Sequence, residues 1–124
     1  MTVINKKNAP HYHWGEICEA WKLLNGKSMS IMQERMPPCS SETRHYHVHA
    51  SQFFFMLEGV AVMEADGVDY VLQKHEGIEI SSGVAHCIRN ISSEDAEFLV
   101  ISQPGTKDDR IVLKKVKTIS AVTL

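Results

Sequence analysis

From residue 29 to residue 103 the chain is a succession of short apolar or alternating runs, each closed by turn-forming residues, and this punctuation leaves little room for helices. It predicts strands at 29–36, 52–57, 60–64, 69–72, 78–80, 86–90 and 97–102. Asp66-Gly67 between two β-rich runs is the firmest hairpin signal, because a tight reversed turn needs positive φ at both central residues. Glu58-Gly59 is a second. The fold class expected is all-β, a sandwich or barrel. Before residue 29, the stretch from Trp14 to Leu24 has no firm period and reads either as a strand pair or as an irregular cover. At the other end, 111–116 reads as a last strand and 117–124 as a tail that frays or docks on a partner.

A length of 124 residues allows one hydrophobic core and hardly two, so a single domain over 1–124 is expected. The chain is 44% hydrophobic and 23% charged, which is ordinary for a globular protein. A net charge of −2 offers no basic stripe for phosphates, and the cluster Lys114, Lys115 and Lys117 is short, so nucleic acid is not an expected partner. Neither a membrane span nor a secretory leader is visible, and the expected location is the cytoplasm. Cys18, Cys39 and Cys87 are odd in number and lack C-x-x-C spacing; inert buried thiols are expected at Cys39 and Cys87.

Chemistry is concentrated in His45-Tyr46-His47, Gln52 and His86. Residues two apart on a strand share a face with Cα atoms about 6.6 Å apart, so His45 and His47 can converge on one ion while Tyr46 turns away. The four residues between His47 and Gln52 can reverse the chain and set Gln52 opposite the pair. His86 opens a later strand after Ser81-Ser82-Gly83, where closure of a barrel would bring in a third imidazole. The alternative for Gln52 is a hydrogen bond to the barrel wall. His49 reads as an exposed hairpin residue. His11 and His13 repeat the same spacing, but nothing downstream in the sequence completes a site, so they read as surface or pocket-edge residues.

In this arrangement the chain resembles the cupin superfamily, whose first motif is Gly, five residues, His-x-His, three or four residues, Glu, six residues, Gly. Its second is Gly, five residues, Pro-x-Gly, two residues, His, three residues, Asn. With His45 and His47 set on the first motif, Gly59, Gly83, His86 and Asn90 also fall into place. Four positions depart: Cys39 and His75 stand for Gly, Gln52 for Glu and Ser81 for Pro. The intermotif stretch, 60–74, has the compact length seen in microbial cupins, and the resemblance spans about 37–103. The likeness is strongest to small single-domain bacterial cupins of largely unassigned function.

The resemblance implies a double-stranded β-helix, or jelly roll, with one divalent metal ion inside the barrel on His45, His47, Gln52 and His86. Cupin polyketide cyclases are similar in binding zinc with three His and one Gln. Zinc, iron, manganese and nickel all suit such donors. His75 suits a Gly position because His is among the residues enriched at positive φ. Gln52 in place of Glu removes a negative charge, so the ion would keep about two positive charges and favour an anionic ligand.

Arg35, Phe54, Met56, Ile88 and Phe98 are candidates for a substrate pocket. Arg35 is equally placed for a surface salt bridge, and the four apolar residues for plain core. On strand parity Gln52, Phe54 and Met56 face inward, and Phe53, Phe55 and Leu57 outward; a homodimer that covers this row is expected, the alternatives being the barrel's own second sheet or the N-terminal segment. No proton donor or acceptor is evident near the open metal position. Three functions fit: a metal-dependent enzyme (oxygenase, isomerase, lyase or cyclase) acting on a small organic anion; a non-catalytic module binding a small carboxylate or sugar-like ligand; and a metal-free epimerase with His45 or His86 as base.

Overall fold

Strand alternation sets the architecture. The computed structural model describes residues 1–113, and every regular element in it is a strand. In chain order these are β1 (His11–Trp14), β2 (Cys18–Asn25), β3 (Ser30–Met36), β4 (His45–Tyr46), β5 (Ser51–Glu58) and β6 (Ala61–Ala65). There follow β7 (Val68–Leu72), β8 (Gly77–Ile80), β9 (His86–Arg89), β10 (Ala96–Gln103) and β11 (Ile111–Val112). A six-stranded sheet runs β1-β2-β3-β10-β5-β8, a five-stranded sheet runs β11-β4-β9-β6-β7, and all their pairings are antiparallel. This is the double-stranded β-helix.

The core lies between the inner faces of the two sheets. Phe54, Met56, Phe98 and Met36 come from the larger sheet, Met63 and Ile88 from the smaller, and all six belong to one buried cluster. Each such side chain contributes about 1.5–3 kcal/mol by leaving water. Along β5 the alternation holds: Gln52, Phe54 and Met56 are buried, while Phe53 is 39% exposed and Phe55 and Leu57 are partly so. Phe55 stacks on His75 with ring centroids 6.3 Å apart.

The turns explain the glycine positions and their substitutes. Asp66 and Gly67 both take positive φ, +52° and +84°, as the reversed β6–β7 turn requires. Gly59 has φ +78°, and a Cβ there would come 2.3 Å from the Asp95 carbonyl oxygen, so a side chain is excluded on both counts. His75 takes φ 66° and Cys39 takes φ 64°, so the two residues at family glycine positions keep the left-handed backbone. Asn90 is fully buried and fully used. Its Nδ2 donates to the carbonyls of Met36 and Glu94, and its Oδ1 accepts from the Ser92 amide and hydroxyl, tying the end of β9 to the end of β3.

Trp14 to Leu24, open between two readings in the sequence, belongs to a strand pair, with β1 already starting at His11 and turning at Gly15. The expected final strand is present at Ile111–Val112, paired with β4; its continuation and the tail lie outside the described residues. Cys39 departs from expectation: its turn lies on the surface, and the thiol is exposed. Cys87 is partly buried, with its thiol 3.7 Å from Glu64 Oε1, and Cys18 is buried. Among the described residues no helix is long and apolar enough to cross a membrane.

Candidate metal centre and ligand cavity

Three imidazoles meet because β4 and β9 are neighbours. His45 and His86 are direct cross-strand partners, and His47 follows on the same face of the chain as it leaves β4. Ring centroids are 4.6 Å apart for His45 and His86, 4.9 Å for His45 and His47, and 5.7 Å for His47 and His86. A ligand nitrogen from each ring lies within 4.8 Å of the other two, and all three residues are buried. Gln52, also buried, comes from β5 in the opposite sheet and turns its Oε1 to within 3.1 Å of His86 Nε2.

Backbone carbonyls fix the tautomer of each ring. His45 Nδ1 donates to Thr43 O at 2.8 Å, His86 Nδ1 to Val84 O at 2.9 Å, and His47 Nδ1 to the carbonyl of Asp109. With the proton on Nδ1, a neutral ring carries its lone pair on Nε2. Burial pushes the His45 pKa down to about 3 and lowers that of His86 as well, so neither ring is cationic near neutrality. Gln52 Nε2 donates to Ser102 Oγ at 3.0 Å, which commits the amide nitrogen and leaves its oxygen facing the rings.

Two acceptors therefore face each other, Gln52 Oε1 and His86 Nε2, while His47 Nε2 is buried with no hydrogen-bond partner among the described residues. Unpaired buried acceptors are costly unless a donor or a cation answers them. One divalent ion satisfies all of them together, and three imidazoles with an amide oxygen are a donor set that zinc and its neighbours accept. The residues fit the ion that the resemblance implies.

Above this cluster lies a cavity of about 290 Å³, bordered by His45, His47, Gln52, Phe54, Glu34, Glu42, Tyr12 and Arg110 among others. Of the five pocket candidates, Phe54 borders it. Met56, Ile88 and Phe98 are fully buried core. Arg35 points to the outer face, with Nε 2.6 Å from Glu19 Oε2 and an Nη 2.9 Å from Asp95, the salt-bridge alternative.

Sequence reasoning missed the proton-bearing groups. Glu34 follows inward-facing Met32 at strand spacing and shares its cavity wall, a parity signal that was available. Burial, then the nearby Glu42 charge, raises the Glu34 carboxyl to about 8. Burial raises Glu42 to about 7, against the pull of Arg110 and the Ile88 amide. Tyr12 is raised to about 12, first by burial and then by Glu34. Arg110 sits exposed at the rim, with an Nη 3.4 Å from His45 Nδ1. Glu42, Tyr12 and Arg110 gave no local sign, since they reach the cavity through tertiary contacts alone.

Residues 32–102 match the Cupin domain family, more than half of the chain. The protein is a cupin. This cupin is 28% identical over 69 residues to polyketide synthase CurC of Streptomyces cyaneus, covering 56% of this chain and 45% of that one. It is 27% identical over 78 residues to an oxalate-binding protein of Thermotoga maritima, covering 63% and 64%. In each case the match spans less than two thirds of the relative's length. Among solved structures, KdgF from Halomonas superposes with a TM-score of 0.78 at 11% identity over 86% of this cupin and 98% of KdgF, a likeness of fold.

Proposed function

We propose that His45, His47, His86 and Gln52 hold one divalent metal ion, and that the chain is an enzyme of proton-transfer type, an isomerase, lyase or cyclase, acting on a small organic anion. One observation carries this reading. Three imidazoles and an amide oxygen converge beside a cavity that His45, His47 and Gln52 border, and the same cavity holds two carboxyls able to gain or lose a proton near neutral pH.

The chain's own residues account for binding and proton movement. The cavity, about 290 Å³, limits the ligand to a small molecule. Arg110 at the rim attracts an anion, and Gln52 leaves the metal charge uncompensated, so a carboxylate or enolate is favoured inside. Glu34, protonated at neutral pH, is placed to donate a proton; Glu42, near its midpoint, can accept one or return it. Phe54, Val100, Met32 and Trp14 supply the apolar part of the wall. A bound ion supplies Lewis-acid polarisation of a ligand oxygen.

The oxalate-binding relative supports the anionic ligand, and equally supports a second reading, a binding module without turnover. A metal-free epimerase is weaker, because a His45 with a pKa of about 3 is a poor base near neutrality. The proposal includes a homodimer formed through the outer face of β5, and a cytoplasmic location.

Elemental analysis of protein purified without added metal or a histidine tag tests the ion; less than a stoichiometric metal content that no divalent ion can raise sinks the reading. A panel of small carboxylates and keto acids tests turnover. Conversion abolished by His86→Ala and strongly reduced by Glu34→Gln supports the enzyme, whereas saturable binding with no conversion supports the module.

A further inference from the structure

His11 and His13 repeat on β1 the spacing of His45 and His47, and the hairpin supplies the third group that the chain order hides. His13 is the cross-strand partner of Glu19, and His11 that of Trp21, so the two imidazoles and the carboxylate share the outer face of the sheet. His11 Nε2 lies 3.0 Å, and His13 Nε2 4.0 Å, from the same oxygen, Oε1 of Glu19. All three ligand atoms lie within 4.8 Å of one another.

The cluster is held in place before any ion arrives. Arg35 Nε takes the other carboxylate oxygen, Oε2, at 2.6 Å and so fixes the direction in which Oε1 points. His11 and Arg35 thus hold opposite oxygens of the Glu19 carboxylate. His11 packs on the Trp21 ring at 5.1 Å and meets His13 edge-on at 5.0 Å, which limits the rotamer freedom lost on binding. Lys6, the ammonium over Trp21, is paired with Glu97 and leaves Oε1 of Glu19 to the histidines.

We propose that His11, His13 and Glu19 form a second metal site, on the outer face of the six-stranded sheet, for a late first-row divalent ion such as zinc or copper. Two imidazoles and one carboxylate are a donor set these ions accept, with the remaining position left to water. The histidine side chains are 35% and 64% exposed, so the ion enters directly from solvent.

The site also bears on the cavity. Among the described residues β1 is an edge strand, paired with β2 alone. Tyr12, between the two histidines, turns to the opposite face, where it borders the cavity and donates to Met32 Sδ at 3.3 Å. An ion tying His11 and His13 to Glu19 staples β1 to β2 and steadies the wall that carries Tyr12 and Trp14.

Zinc titration of His86→Ala protein by calorimetry, with the inner site disabled, tests the proposal. The expected result is one zinc per chain at about micromolar affinity, weakened at least about tenfold by adding His13→Ala or His11→Ala. His49→Ala, at another exposed histidine, leaves it unchanged. Copper is expected to quench tryptophan emission in His86→Ala and to lose that effect in His86→Ala/His13→Ala. Absence of zinc binding in His86→Ala, or its survival in a variant lacking both His11 and His13, overturns the proposal. If His86→Ala does not fold, wild-type protein loaded with its inner ion is titrated for a second equivalent, read by the same surface variants and the same criteria.

Discussion

Gln52 donates its amide nitrogen to Ser102 Oγ at 3.0 Å, and this bond decides which end of the amide faces the imidazoles. In Ser102→Ala the amide loses that anchor and can turn its NH₂ toward His86 Nε2. Metal retention, measured by competition with a chelator, is expected to fall about 10- to 100-fold while the fold is kept. Unchanged retention would remove Ser102 from the account.

Gln52→Glu adds a negative charge beside the three histidines. The variant is expected to hold a divalent ion more tightly and to bind oxalate more weakly than wild type, both by calorimetry. Tighter oxalate binding in the variant would contradict the idea that the uncompensated charge selects anions.

Asp109 ties the loop after β4 in place. Its carboxylate accepts from the backbone amides of Val48, His49 and Ala50 at 2.6, 3.1 and 3.0 Å, and its carbonyl accepts from His47 Nδ1. Asp109→Ala strands those amides and is expected to cost about 2–4 kcal/mol in urea unfolding, with a smaller loss for Asp109→Asn. Burial opposes ionisation here, but the three amides and then His47 outweigh it and hold the carboxyl below its ordinary 3.8. The stability this supplies is complete above that value and is lost as pH falls through the lowered one. The gap between wild type and Asp109→Asn should close only in that acid range.

Glu34 behaves in the opposite sense. Its carboxyl is raised from 4.5 to about 8, so between those values the folded chain keeps a proton that the unfolded chain releases. The Glu34 contribution to stability is therefore full below the lower value and lost as pH rises to the upper one. Thermal unfolding of metal-free protein across that range should show wild type losing stability relative to Glu34→Gln as pH rises. A gap that moves the other way would mean that Glu34 is ionised in the folded chain.

The outward row of Phe53, Phe55 and Leu57 on β5 is the face on which a second copy is expected to pack. Sedimentation at micromolar concentration should give a dimer, and Phe53→Lys should shift it toward monomer. Monomer alone in wild type would refute this interface.

The strands and turns were legible because their information is local, and the likeness to cupins supplied the barrel. A strand buried on one face must alternate, as β5 does at Gln52, Phe54 and Met56, and a reversed turn must hold residues tolerant of positive φ, as Asp66 and Gly67 do. The stretch before residue 29 was not settled in the same way, because β1 and β2 alternate poorly and are defined by pairing with each other.

Sequence alone determined an all-strand fold and its principal turns, since strand period and turn chemistry are local, and the motif spacing that resembles cupins supplied the barrel and the four side chains proposed to gather around an ion. Only the tertiary structure decided the rest. It gave each imidazole its tautomer through carbonyls such as that of Asp109, brought Glu42, Tyr12 and Arg110 to the cavity, sent Arg35 outward to Glu19, and joined Glu19 to His11 and His13. The reason is physical: proton placement, desolvation and cross-strand reach depend on neighbours remote in the chain, and a sequence carries no direct mark of which neighbours those will be.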